Sequence, residues 1–220
     1  VVPKTFSTKL LLEFYKNIDL ELKKAGANLV GGDTDSGEPF SLTTTVLGET
    51  SRFIPRSGAK TGDYLVLTGE IGSACAGYFA TKRGWIDCPK KFVDAQLCPK
   101  IDYHKALKIA KNANAGIDLS DGLGKEAGLM ASLSGKKLVF DFDLLPFDSR
   151  LPAFCEKHSL SLLDLLFHRG EDYQILYSTK KPSGAIIVGK VSNGSGVFLR
   201  KNNKLIKIPA RGYDHFLKNK

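Results

Sequence analysis

The chain has little of what would commit it to several large classes of protein. Its four cysteines, Cys75, Cys88, Cys98 and Cys155, include no C-x-x-C pair and no zinc-like spacing. Neither a disulfide framework nor a structural zinc site is expected, and the thiols read as reduced residues of a cytoplasmic protein. No apolar run approaches the length of a membrane span, and the first residues lack a signal-peptide pattern. The four histidines, His104, His158, His168 and His215, form no H-x-x-x-H pair, which argues against a histidine–metal enzyme. Internal repeats and low-complexity segments are absent as well. Methionine occurs once, at Met130, and the chain opens on Val1; the expectation is a trimmed or partial version of a longer product.

What is present is an ordinary globular composition. With 220 residues, 42% hydrophobic and 25% charged, the chain can bury a core of one domain or two. A net charge of +9 admits nucleic acid as a partner. The Lys and Arg residues are scattered, however, and no basic run is interleaved with stacking aromatics. A solvated basic surface is expected, with neither nucleic acid nor membrane as partner. Its mild positive field attracts phosphorylated small substrates.

Helical and extended patterns alternate along the chain. Thr5 or Ser7 caps a helix running to about Ala25, with Leu10, Phe14, Ile18 and Leu22 as its apolar stripe. Strands are expected at residues 28–30, 40–48, 64–68, 137–142, 173–178 and 185–188, and helices at 72–82, 90–97, 102–112 and around 151–167. Residues 196–209 read as a hairpin turning at Asn202-Asn203. The fold class is α/β (α+β), and the closing hairpin argues for a mixed rather than an all-parallel sheet. A change of character near Thr50 places a boundary between residues 1–50 and 51–220.

Chemistry concentrates at residues 116–123, Gly-Ile-Asp-Leu-Ser-Asp-Gly-Leu, a strand expected to break into a turn before a helix from Leu123. Alternation along the strand puts Asp118 and Ser120 on one face and Ile117 and Leu119 toward the core. Asp121 falls at the turn. Two carboxylates and a hydroxyl beside a helix start suit a hard divalent cation and the phosphates it carries. The plainer alternative is that Ser120 or Asp121 only caps the helix. Asp118 resists it, because a carboxylate in an apolar strand is costly to bury without a partner.

Other segments add candidates. Gly31-Gly32-Asp33-Thr34 lets backbone amides approach an anion and offers Asp33 to a bridging metal, or it is a glycine turn with Asp33 or Asp35 closing an Asx bend. Arg56, on a glycine-containing loop, can pair with a phosphate. In Gly170-Glu171-Asp172-Tyr173 the two carboxylates suit a metal, a cationic ring or a hydroxyl, or simply form an acidic turn near His168 and Arg169. Tyr213 offers a ring to stack on a ligand, or pins the tail together with Phe216.

Taken in order, Gly31-Gly32-Asp33-Thr34, Arg56-Ser57-Gly58-Ala59-Lys60 with Gly62-Asp63, Asp118-Leu119-Ser120-Asp121-Gly122-Leu123, Gly170-Glu171-Asp172-Tyr173 and Gly212-Tyr213-Asp214-His215-Phe216 resemble thiamine-monophosphate kinase. That family shares a superfamily with aminoimidazole ribonucleotide synthetase and selenophosphate synthetase. The resemblance implies ATP-dependent phosphorylation of thiamine monophosphate to thiamine diphosphate. It implies that Gly32, Asp33, Arg56 and Ser120 bind ATP and that Asp33, Asp118 and Asp121 hold Mg2+. Glu171 and Tyr213 would face the thiamine end, and no residue is assigned as general base. Family members are homodimers whose N-terminal domains build a barrel at the interface, each followed by an α/β C-terminal domain. Residues 1–50 would then be the end of the N-terminal domain, most of which is absent. Two further departures are Arg169 for the usual Gly and Gln174 for the usual Glu. The alternatives are another ATP-dependent enzyme of the superfamily, of the aminoimidazole ribonucleotide synthetase kind, and a catalytically silent nucleotide-binding module.

Overall fold

The structure, a computed structural model, describes residues 1–213, so Asp214, His215 and Phe216 of the closing motif lie outside the described residues. The chain divides into two compact units, Val1–Arg52 and Phe53–Lys220.

The first unit is built on helix α1 (Thr8–Lys24). The Ser7 hydroxyl accepts the Leu10 amide at 3.2 Å and so caps the helix, while Lys23 and Lys24 sit in its last turn where the dipole favours cations. Phe14, Ile18 and Leu22 of the expected stripe are half-buried; Leu10 is exposed. Phe40 packs edge-on against Phe14 and stacks on Phe6, giving the unit a small aromatic nucleus. Residues 28–30 and 40–48 do not form the expected strands. A strand exists only as a pairing, and the single β-bridge described in this unit joins Val2 to Ser36. Val30 is consequently 93% exposed and Leu47 89%.

The second unit contains β1 (Tyr64–Leu67), α2 (Ser73–Arg83), α3 (Lys90–Leu97), α4 (Tyr103–Ala110), β2 (Ala113–Asp118), α5 (Leu123–Ser134), β3 (Lys137–Asp141), α6 (Leu151–Lys157), α7 (Leu162–Phe167), β4 (Ile175–Thr179), β5 (Ile186–Ser192), β6 (Gly196–Lys201) and β7 (Lys204–Ile208). The strands form one seven-stranded mixed sheet in the order β2-β4-β1-β5-β3-β6-β7. Only β3 and β6 run parallel; every other neighbouring pair is antiparallel. The mixed sheet expected from the sequence is what forms. Asn202 and Asn203 turn the β6–β7 hairpin with φ of 49° and 59°, the left-handed pair that a tight hairpin demands. The stretch 151–167 is two short helices rather than one, broken around Ser159 at φ 53°.

Strand alternation sorts the core onto two faces. Leu65 and Leu67 of β1 join the large cluster with Phe92, Ile117, Met130, Phe140 and Phe167. Val66, between them, faces a smaller cluster with Ile109, Ala113 and Tyr177. Phe140 and Phe167 meet edge to face at 5.8 Å in the larger cluster. This packing anchors both ends of the chain segments that carry the candidate site.

Candidate active site

Strand β2 is an edge of the sheet, paired on one side to β4 with Asp118 opposite Ile175. Ile117 and Leu119 are buried at 5% and 1% exposure, so Asp118 between them is turned to solvent, as alternation requires. Past Asp118 the two chains stay together through irregular hydrogen bonds. The Leu119 amide donates to Gln174 O at 2.8 Å, the Tyr173 amide to Leu119 O at 3.0 Å, and the Glu171 amide to Ser120 O at 3.0 Å. Gly170 makes this possible: a β-carbon there would overlap the Ser120 carbonyl. The Tyr213 amide donates to Asp121 O at 2.9 Å, bringing a third segment to the same turn. Ser120, Asp121, Glu171 and Tyr213 are thus joined by main-chain bonds although nearly a hundred positions separate them in sequence.

The turn is not a helix cap. Gly122, at φ 120°, occupies the N-cap position of α5, and no side chain caps that helix. Ser120 and Asp121 are therefore left for other work. Asp121 pairs with Lys125 at 2.6 Å, and the same ammonium donates to Tyr213 O at 3.0 Å. The Asp121 amide donates to Glu126 Oε1 at 3.3 Å, while Glu126 Oε2 is buried without a partner. Burial pushes the Glu126 carboxyl up to about 7, with the Asp121 charge adding to it. Neither Lys125 nor Glu126 stood out in the sequence. Lys125 was legible in principle, as the cation four residues after Asp121 at a helix start.

Arg56 approaches from the other side. Its guanidinium lies 3.9 Å from Asp118, and both side chains are more than half exposed, so the pair is loose and open to displacement by a ligand. A cleft of about 630 Å³ begins there, with Arg56, Ser57 and Asp118 at its polar end and Ile54, Leu133 and Tyr177 along its apolar wall.

Asp172 is not at this site. Its carboxylate is buried and accepts the Gly72 amide at 2.9 and 3.0 Å, holding the start of α2. Burial pushes its carboxyl up to about 7 against the lowering effect of the amides it accepts. Arg169 pairs with Asp164 at 3.0 Å and lies over the Phe79 ring. Gln174 uses both ends of its amide, accepting from Thr68 Oγ1 at 2.8 Å and donating to Lys100 O and Asp172 O. Gly32 and Asp33 belong to the first unit, in exposed irregular chain; Asp33 accepts its neighbour Thr34's amide at 2.9 Å.

Among the described residues no group of three or more His, Cys, Asp or Glu side chains is assembled for a metal. The oxygen-only set of Asp118, Ser120 and Asp121 nevertheless fits magnesium, which commonly takes one or two protein carboxylates and completes its shell with water and substrate phosphates. No helix among those residues is long and apolar enough to cross a membrane.

The mixed sheet with its acidic turn and facing arginine belongs to a recognised class: residues 60–204 match the family model "AIR synthase related protein, C-terminal domain", and the chain is a member of that family. Within it, the thiamine-monophosphate kinase of Pyrococcus horikoshii is 28% identical over 97% of this chain and 70% of its own length. That of Archaeoglobus fulgidus is 30% identical, covering 93% of this chain and 68% of itself. The solved complex of AaThiL with AMPPCP and TMP superimposes with a TM-score of 0.81 at 27% identity, over 98% of this chain and 71% of that one. The chain belongs to the thiamine-monophosphate kinase family and is an ATP-dependent kinase.

Proposed function

We propose that the protein transfers the γ-phosphoryl group of ATP directly to thiamine monophosphate, giving thiamine diphosphate and ADP. The observation that carries this reading is the main-chain convergence of residues 118–121, 171 and 213 beside Arg56, in a chain similar to a kinase solved with AMPPCP and TMP.

The acceptor is a phosphate monoester with a second pKa of roughly 6, so it is mostly ionised at neutral pH and already nucleophilic. That accounts for a site without an evident general base. The difficulty lies in bringing two polyanions together. Arg56 meets the ATP phosphates in place of its loose contact with Asp118, and the Ser120 hydroxyl donates to them. Asp118 and Asp121 would hold Mg2+, which when bound supplies charge neutralisation for the phosphates and aligns the transfer. The resemblance gives Asp33 the same metal-holding role and gives Gly32 an amide that would approach the ATP phosphates. Glu171 faces the cationic end of thiamine, and the exposed Tyr213 ring stacks on it. Lys125 keeps Asp121 and the Tyr213 segment at a common distance.

The homodimer belongs to the same reading. The first unit exposes Val30, Val46 and Leu47 on extended, unpaired chain, a surface suited to strand pairing with a second copy. Measuring ADP formation with thiamine monophosphate, with formylglycinamidine ribonucleotide and with neither tests the substrate. ADP should appear only with thiamine monophosphate and magnesium; turnover of the ribonucleotide instead moves the protein to another branch of the superfamily. Trapping a phosphorylated protein would exclude direct transfer.

A further inference from the structure

Asp63 is a fully buried carboxylate outside the convergent segments, and its hydrogen bonds lead to Arg56. Its side chain accepts the Lys60 amide at 3.0 Å, the Ser178 hydroxyl at 2.6 Å, and the Asn114 amide group at 3.1 and 3.0 Å, one bond to each oxygen. Its own amide donates to Lys60 O at 3.0 Å, and its carbonyl accepts the Val191 amide at 2.8 Å. One residue thus ties the end of the Arg56 loop to β2, β4 and β5. An apolar side chain would leave the Lys60 amide, the Ser178 hydroxyl and the Asn114 amide group without this acceptor, so the carboxylate is what fastens the end of the loop to the strands.

The loop itself lies along the open side of β2. Pro55 O accepts the Gly116 amide at 3.2 Å, and a β-carbon on Gly58 would overlap the Asn114 carbonyl. Arg56 stands between these two contacts, opposite Asp118 at the end of the same strand. Asn114 therefore meets the loop twice, through its carbonyl against Gly58 and through its side chain on Asp63. A long, half-exposed arginine points where its backbone aims it, and Asp63 together with Asn114 sets that aim. We infer that Asp63 is a positioning residue for phosphoryl transfer, acting through Asn114 and the 56–60 loop to hold Arg56 for the ATP phosphates. This rests on the reading that Arg56 binds ATP.

The test is calorimetry with AMPPCP and, separately, with thiamine monophosphate on Arg56→Ala, Asn114→Ala, Asp63→Asn and the Arg56→Ala/Asn114→Ala double variant. Arg56→Ala should weaken AMPPCP binding by roughly tenfold or more, as loss of a charge-assisted contact does. Asn114→Ala and Asp63→Asn should weaken it by about threefold or more while thiamine monophosphate binding stays within about twofold, a split that general destabilisation does not produce. In the double variant the Asn114 change should add less than about twofold. Should Asp63→Asn not fold, Asn114→Ala decides alone, since it leaves the carboxylate its Lys60 and Ser178 donors. Additive losses in the double variant, or equal losses for both ligands, overturn the positioning role while leaving Arg56 as an ATP contact. An Arg56→Ala variant that binds AMPPCP like the parent overturns both.

Discussion

Gly170→Ala is a one-carbon change at the seam of the site. The new β-carbon would overlap the Ser120 carbonyl oxygen and stand 2.7 Å from its carbon and 2.8 Å from the Asp121 α-carbon. Ordinary contacts of this kind are about 3.5–4.0 Å, so one segment must retreat by roughly 1 Å. All three clashing atoms are backbone, and no side chain can swing aside to absorb the shift. The Glu171–Ser120 hydrogen bond, 3.0 Å in the parent, is lost. Overpacking costs about 1–3 kcal/mol and the bond about 1 kcal/mol, for a total near 2–4 kcal/mol. In a unit of this size each kcal/mol lowers Tm by about 2–4 °C, so thermal unfolding should show a fall of at least about 4 °C. Because a misplacement of about 1 Å at a reacting centre costs on the order of 10²-fold in rate, thiamine monophosphate-dependent ADP formation should fall by a similar factor. A variant that melts within about 1 °C of the parent and turns over normally would refute the close apposition of residues 170–171 and 120–121.

Three further outcomes follow from the same geometry. Phe167→Ala empties a fully buried site against Phe140 and should cost about 3–5 kcal/mol by denaturant titration; a loss below about 1 kcal/mol would place Phe167 outside the core. Asp172 has a folded pKa of about 7, raised from 3.8, so its contribution to stability is fully present below the lower value and is lost as pH rises through the higher one. Stability of the parent relative to Asp172→Asn should therefore decline between about pH 4 and 7 and level off above; a flat difference across that window contradicts the burial of this carboxyl. Gln174→Glu removes the amide donor facing Lys100 O and Asp172 O and sets a second carboxylate beside Asp172, so Tm should fall by a few degrees at pH 8 and recover toward pH 5; an unchanged Tm at pH 8 would show those donors to be dispensable.

The second unit was largely legible in the sequence because its elements carry local signals. Asn202-Asn203 announced a hairpin, and alternation at residues 117–119 announced which side chains face the core. The first unit was not, since residues 28–30 and 40–48 have the composition of strands but no described partner to pair with. The helical pattern over 151–167 hid a left-handed residue at Ser159, a conformation a serine does not advertise. In the site, the residue types at 118, 120 and 121 pointed to phosphate and metal chemistry. What the chain order could not reveal was register. Glu171 and Asp172 look alike in sequence, yet the first sits on the Ser120 carbonyl and the second turns inward to α2. Close approaches such as Gly170 on Ser120, and the buried Asp63 behind Arg56, exist only once distant segments meet.

The account depends most on the carboxylates of the 118–121 turn serving phosphoryl transfer rather than local structure. Asp118 is the cleaner of the two to change, being solvent-facing with the loose Arg56 contact beside it. Magnesium-dependent ADP formation should be measured with saturating ATP and thiamine monophosphate for the parent and for Asp118→Asn, alongside their melting temperatures. Turnover should drop by about two orders of magnitude or more with Tm within a few degrees of the parent. Full turnover in a folded Asp118→Asn protein would contradict the assignment.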